Sequence, residues 1–289
     1  MSLNGFVLWD KEPNTVDKRG KLYHQDLKFN TNNEFKNRKI RVYLPSTYDF
    51  NNPNKRFPVL YMTDGKNLFD DYTSFVGEWQ MDEIVESLIE EKVSDGIIVV
   101  GIDAPNKDID RTLEMTPPGL TFHKFTKMSA EVRRHGYGNL LGDFIFKEVK
   151  PLIDKTFYTL KDKNHTGIGG SSMGGLMAFY LSLFYKDYVG YSLCYSPAFF
   201  LYRWKGFFEL MNSKITNDKT LPQIELYVGG KGFERAFVKT TFKMYKHFKS
   251  LGFSDGDIRI IYHKEEEHNE QAWRKYVKDS LKFLHYLNK

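Results

Sequence analysis

From about residue 58 to the C-terminus, short apolar runs alternate with longer stretches whose apolar residues recur every three or four positions. The runs are Pro58 to Met62, Ile97 to Ile102, Thr166 to Ile168, Tyr191 to Tyr195, Ile224 to Val228 and Ile258 to Tyr262, many β-branched and bounded by Gly, Asp or Pro. They read as buried strands. The intervening segments, Trp79 to Glu90, Leu140 to Ile153, Met173 to Tyr185, Phe233 to Phe248 and Glu270 to Leu287, read as amphipathic helices. That order predicts an α/β fold with a mostly parallel central sheet and helices on both faces. The more polar, alternating stretches Lys21 to Phe29 and Arg38 to Leu44 predict an antiparallel pair at its edge.

No repeat, low-complexity tract or linker divides residues 1–289, so a single domain is expected. Segments 106–138 and 197–222 are too long for ordinary connections, and such loops often cover a substrate. The 42 basic and 37 acidic residues leave a net charge of +5 with the signs interspersed. Basic stretches such as Lys124 to Arg134 and Lys239 to Lys249 carry apolar residues at helical intervals, so they read as solvated helix faces and no nucleic-acid partner is expected. The single cysteine, Cys194, excludes an intrachain disulfide and a thiolate zinc cluster. No stretch approaches the ~20 apolar residues of a membrane span, and no cationic leader precedes the first apolar patch, so the expectation is a cytoplasmic protein with no membrane partner.

The chemistry concentrates after the third of those strands. Gly170-Ser171-Ser172-Met173-Gly174 matches GxSxG, placed between a strand and a helix. Such a turn forces the serine into a strained backbone, which flanking residues without a Cβ accommodate, here Gly170 and Gly174. Ser172 would then project above the sheet edge as a nucleophile, whereas Ser171 would point elsewhere. A hydroxyl needs a base, and the base an orienting acid. His247 and His285 fall in helices and His263 ends a strand, but His268 lies in the turn after the last strand, at the edge where open α/β sheets bind ligands. For the acid, Glu234 follows the preceding strand at the same edge; Glu265, Glu266, Glu267, Asp255 and Asp257 are its rivals. An oxyanion hole would take the amide of Met173 and one from Gly65 or Lys66, in the turn after the first of the strands. The aromatic run Phe199, Phe200, Tyr202, Trp204, Phe207 and Phe208 reads either as an apolar wall for a substrate or as a helix packed on the core.

Taken together, Tyr61 to Asp70, Glu78-Trp79, Arg111 with Glu114 to Pro117, Ile168 to Gly175, Tyr195-Ser196-Pro197, Gly229-Gly230 to Glu234 and His268-Asn269-Glu270 to Trp273 make the chain resemble the esterase D, or putative esterase, family of α/β hydrolases. Its members include enterochelin-esterase-like, feruloyl and acetyl esterases. The resemblance implies an α/β-hydrolase fold and a serine esterase with Ser172, Glu234 and His268 in the triad positions, acting on a small-molecule ester without metal or organic cofactor. Trp79, Arg111 and Tyr195 stand in the matching segments as candidate substrate contacts, although Arg111 also has Glu114 within reach as a partner. Similar proteins often carry glutamine at Lys66 and a simpler Gly-Thr-Lys-Glu turn before the acid. Two other functions fit the same residues: an acyltransferase that uses an alcohol in place of water, and a binding protein on an inactive scaffold.

Overall fold

The computed structural model describes residues 3–31, 34–123, 136–215 and 220–283. The strands are β1 (Val7–Leu8), β2 (Lys21–Thr31), β3 (Glu34–Leu44), β4 (Val59–Thr63), β5 (Ile98–Ile102), β6 (Thr166–Ser171), β7 (Tyr191–Tyr195), β8 (Gln223–Gly229) and β9 (Ile258–His263). The helices are α1 (Met81–Glu90), α2 (Asp108–Glu114), α3 (Gly138–Asp143), α4 (Lys150–Thr156), α5 (Met173–Phe184), α6 (Trp204–Asn212), α7 (Arg235–Ser250) and α8 (Glu270–Phe283). The result is a mixed, mostly parallel sheet with an antiparallel edge and helices on both faces. Contacts group the chain into two compact units, residues 1–104, 144–167 and 269–289 in the first and 105–143 and 168–268 in the second.

In the first unit the strand order is β1-β2-β3-β5-β4. The expected antiparallel pair is present and longer than its apolar pattern, running from Lys21 opposite Leu44 to Thr31 opposite Glu34. Main-chain pairing continues through the polar tips, where side-chain alternation carries no signal. β3 runs antiparallel to β5, and β5 parallel to β4. Every residue of β4 and β5 is buried, which explains their unbroken apolar runs.

In the second unit β6 lies beside β7, and β7, β8 and β9 follow in parallel, with Tyr195 opposite Tyr227 and Gly229 opposite His263. The segments leaving β7, β8 and β9 therefore emerge at one edge. The long segments 106–138 and 197–222 contain helices: α2, which its pattern did not announce, and α6, which begins within the aromatic run for which a helix was one of the two readings. They are also joined: His123 N donates to Leu201 O (2.7 Å), Arg203 N to Thr121 O (2.9 Å), and the Phe122 and Tyr202 rings pack 4.7 Å apart. Residues 124–135 and 216–219, with the basic stretch Lys124 to Arg134, lie outside the described residues.

The expected single helix Leu140 to Ile153 is three pieces: α3, a wider π-helical stretch Phe144–Val149, and α4. Pro151 has no N–H to give to the turn before it, so regular α-helical bonding cannot pass through that point. Phe144, Ile145, Phe146 and Val149 are all buried, more apolar bulk than one helical stripe presents.

Candidate active site

Ser172 occupies the turn between β6 and α5 at φ 59° and ψ −119°, a conformation L-residues rarely adopt. Strain of this kind costs about 1–3 kcal/mol and persists only where the surroundings over-determine it. They do so here. The Ser172 amide donates to Tyr195 O (2.9 Å), and its carbonyl accepts from Leu176 N (3.0 Å) and Ala198 N (3.1 Å). A close approach also falls one residue beyond the pentapeptide, at Gly175, where a Cβ would stand 2.3 Å from Tyr195 O. Ser171 ends β6 and is buried.

The acid and imidazole are joined. After β8 the chain makes a tight turn, with Gly232 at φ 59°, and delivers Glu234 to the start of α7 with none of its surface exposed. Its Oε2 pairs with His268 Nδ1, and its Oε1 accepts from Gly229 N (2.9 Å) and from the Ser196 hydroxyl. Gly229 lacks a Cβ because one would sit 2.7 Å from Glu234 Cγ and 2.5 Å from Glu266 O. A carboxylate that accepts from Nδ1–H leaves the lone pair on Nε2, the state a general base requires. The His268 side chain is 15% exposed, stacked at 4.4 Å on Phe237 and met edge-on by Phe233 at 5.4 Å. Its turn is tied to the acid's turn by Gly230 N and Lys231 N, which both donate to Glu266 O, and by the Lys231–Glu267 ion pair at 2.9 Å.

The rivals lie elsewhere. Glu265 is exposed and Glu267 is held by Lys231; Asp255 bonds Tyr245 and Lys249, while Asp257 accepts from Ser254. His247 bonds Asn212 (2.7 Å), and the His263 ring lies against Tyr227. His285 lies outside the described residues.

Ser196 is the residue that pattern reading passed over. It stands in the matching Tyr195-Ser196-Pro197, completely buried at φ 45°, with its amide on Tyr227 O (2.7 Å) and its hydroxyl on Glu234. The Tyr195 to Ala198 turn thus holds the backbone of Ser172 on one side and the acid on the other. Its positive φ was the available signal, and only coordinates disclose it. No hydrogen bond joins the Ser172 hydroxyl to His268 among the described residues.

Met173 opens α5, so its amide is among those that an α-helix leaves without an internal acceptor. Gly65 and Lys66 belong to a single 3₁₀ turn after β4. Arg111 lies on α2, part-exposed. Trp79 is buried against Trp273, with ring centroids 5.6 Å apart, and Tyr195 against Tyr227 at 4.8 Å, so both spend their ring faces on packing. The aromatic run divides: Phe199, Tyr202 and Phe207 are buried, whereas Phe200 reaches Phe237 (4.6 Å) and Phe233, itself 64% exposed.

Strand order, strained elbow and acid–imidazole pair define an α/β-hydrolase-type molecule. Solved structures agree on the fold: the siderophore hydrolase EstA from Aspergillus nidulans superposes with a TM-score of 0.69 at 16% identity, covering 90% of this chain and 94% of its own. A ferulic acid esterase superposes with a TM-score of 0.64 at 14% identity, covering 92% and 97%. The model of the family described as Putative esterase matches residues 33–224, and the chain belongs to that family. YbbA of Bacillus subtilis (strain 168), an uncharacterized protein, is 22% identical over 257 residues, which span 88% of this chain and 94% of YbbA.

Proposed function

We propose that the protein is a single-domain serine carboxylic-ester hydrolase working through Ser172, His268 and Glu234. The observation that carries the reading is the buried Glu234–His268 pair, braced by Ser196 in the same turn that holds the Ser172 backbone. His268 Nε2 takes the Ser172 proton as Oγ attacks the ester carbonyl. The tetrahedral intermediate collapses, the C–O bond breaks, and the same proton leaves on the departing alcohol. Water, deprotonated by Nε2, then attacks the acyl-enzyme, and the acid departs as Ser172 regains its proton. Glu234 keeps Nδ1–H fixed and stabilises the imidazolium in both halves. The oxyanion is assigned to the Met173 amide and to one from Gly65 or Lys66. A free enzyme commonly holds its serine and imidazole apart until substrate closes the geometry.

Beside the imidazole, the exposed face of Phe233 with Phe200 behind it supports an ester whose acyl or alcohol part is apolar. Arg111 is assigned a supporting contact with substrate. EstA and the ferulic acid esterase are named for siderophore and ferulate ester chemistry, two small-ester classes on which to begin. No helix among the described residues is long and apolar enough to cross a membrane. The sole, buried cysteine suits a reducing compartment, and we assign the cytoplasm.

The test is a fluorophosphonate probe together with p-nitrophenyl acetate turnover. The native chain labels and turns over, and Ser172→Ala loses labelling and at least about a thousandfold in kcat. Full activity in Ser172→Ala removes the proposal. Product analysis with added alcohols separates hydrolysis from acyl transfer.

A further inference from the structure

In the first unit, Glu78 just ahead of α1 and Asp82 and Glu83 in its first turn each bring a carboxylate oxygen to within 4.8 Å of the others. Acidic residues in a helix's first turn are ordinary when solvated. These are not: Glu78 is 1% exposed and Asp82 fully buried. One oxygen of each buried pair member is satisfied, Glu78 Oε1 by the Thr15 hydroxyl (2.9 Å) and Asp82 Oδ2 by the Asp17 amide (2.7 Å). The other oxygens, Glu78 Oε2 and Asp82 Oδ1, are buried without a partner from outside the cluster, as is Glu83 Oε2, and the Asp82 and Glu83 carboxyls face each other within hydrogen-bonding reach. The helix terminus is worth under about 1 kcal/mol to a nearby carboxylate, whereas burying an unpaired one costs several. The charged neighbours acting most strongly on Glu78 and Asp82 are all carboxylates.

We infer that Glu78, Asp82 and Glu83 form a structural site for a hard divalent cation, Ca²⁺ by preference, at the entrance to α1. Three carboxylates without nitrogen or sulfur select a hard ion. Ca²⁺ accepts irregular sets of oxygen ligands, whereas Mg²⁺ demands a near-ideal octahedron and holds on to its waters, so a buried carboxylate cluster favours the larger ion. The cation removes the mutual repulsion, satisfies the orphaned oxygens and fixes the turn that carries Trp79 onto Trp273 of α8. Its role is to hold structure; no step of ester cleavage passes through it.

The experiment uses the full chain stripped with EDTA. Calcium titrated by calorimetry should saturate one site, and Tb³⁺ bound there should luminesce on indole excitation through Trp79. A hundredfold excess over Kd should raise the apparent melting temperature by about 5 °C. Asp82→Asn and Glu83→Gln should each weaken binding at least about tenfold, and circular dichroism should confirm that they fold. Glu83 is only half-buried, so its variant carries the smaller folding risk. The inference is overturned if Ca²⁺, Mg²⁺ and Mn²⁺ all leave the stripped protein unchanged at millimolar concentration. It is equally overturned if both variants bind as the native chain does, or if melting responds to pH but not to any cation, which would mean that protons neutralise the cluster.

Discussion

At the residue scale, the assignment of the acid turned on hydrogen bonds and not on charge. Six carboxylates were weighed as the acid, and their chemistry is the same in a sequence; among them Glu234 is the one that pairs with His268. Ser172 and His268 stood out as candidates because a glycine-flanked serine and a histidine in the last strand-to-helix turn are patterns in the chain order. Ser196 was illegible, because a serine after a strand usually serves the local backbone. Its hydroxyl holds one oxygen of a completely buried carboxylate, so Ser196→Ala leaves that oxygen with the Gly229 amide alone. A hydrogen bond to a charged group is worth about 1.5–3 kcal/mol, and the expected loss is roughly tenfold or more in kcat with KM nearly unchanged. Steady-state kinetics on a p-nitrophenyl ester decide it: a native kcat in the variant would make Ser196 a bystander.

The element scale shows how a motif and its geometry part company. Reading GxSxG credits the two glycines inside the pentapeptide; Gly175, on the first turn of α5 facing the end of β7, adds a position where a Cβ would meet a backbone oxygen at 2.3 Å. That clash involves main chain, so a Gly175→Ala side chain cannot be accommodated by a rotamer change. We expect it to destabilise the protein by about 1–3 kcal/mol and to lower activity by moving the elbow; an unaltered urea midpoint would contradict the geometry. Helical periodicity located α1, α5, α7 and α8 well, but it read through the break at Pro151, missed α2 and left α6 as one of two readings. Those two are short, seven and nine residues, and short helices carry too few turns for a period to stand out.

For the whole molecule, depth of burial is the property that local pattern cannot supply. Cys194 lies inside β7 without exposed surface, and burial pushes its thiol up to about 12. The thiolate, the reactive form, is therefore scarce at neutral pH and inaccessible. Iodoacetamide at pH 8 should leave the native protein unmodified by mass spectrometry and alkylate it fully in denaturant; rapid native labelling would place β7 nearer the surface. Most of the alternation of strands and helices, and the candidates for nucleophile and base, were legible in the sequence alone, since periodicity, glycine placement and chain order are local and one-dimensional. Which carboxylate meets the imidazole, which glycine lets two backbones touch, and where three acids cluster with buried oxygens were decided only by the tertiary structure, because each depends on distances between residues that the chain keeps far apart or turns to face one another.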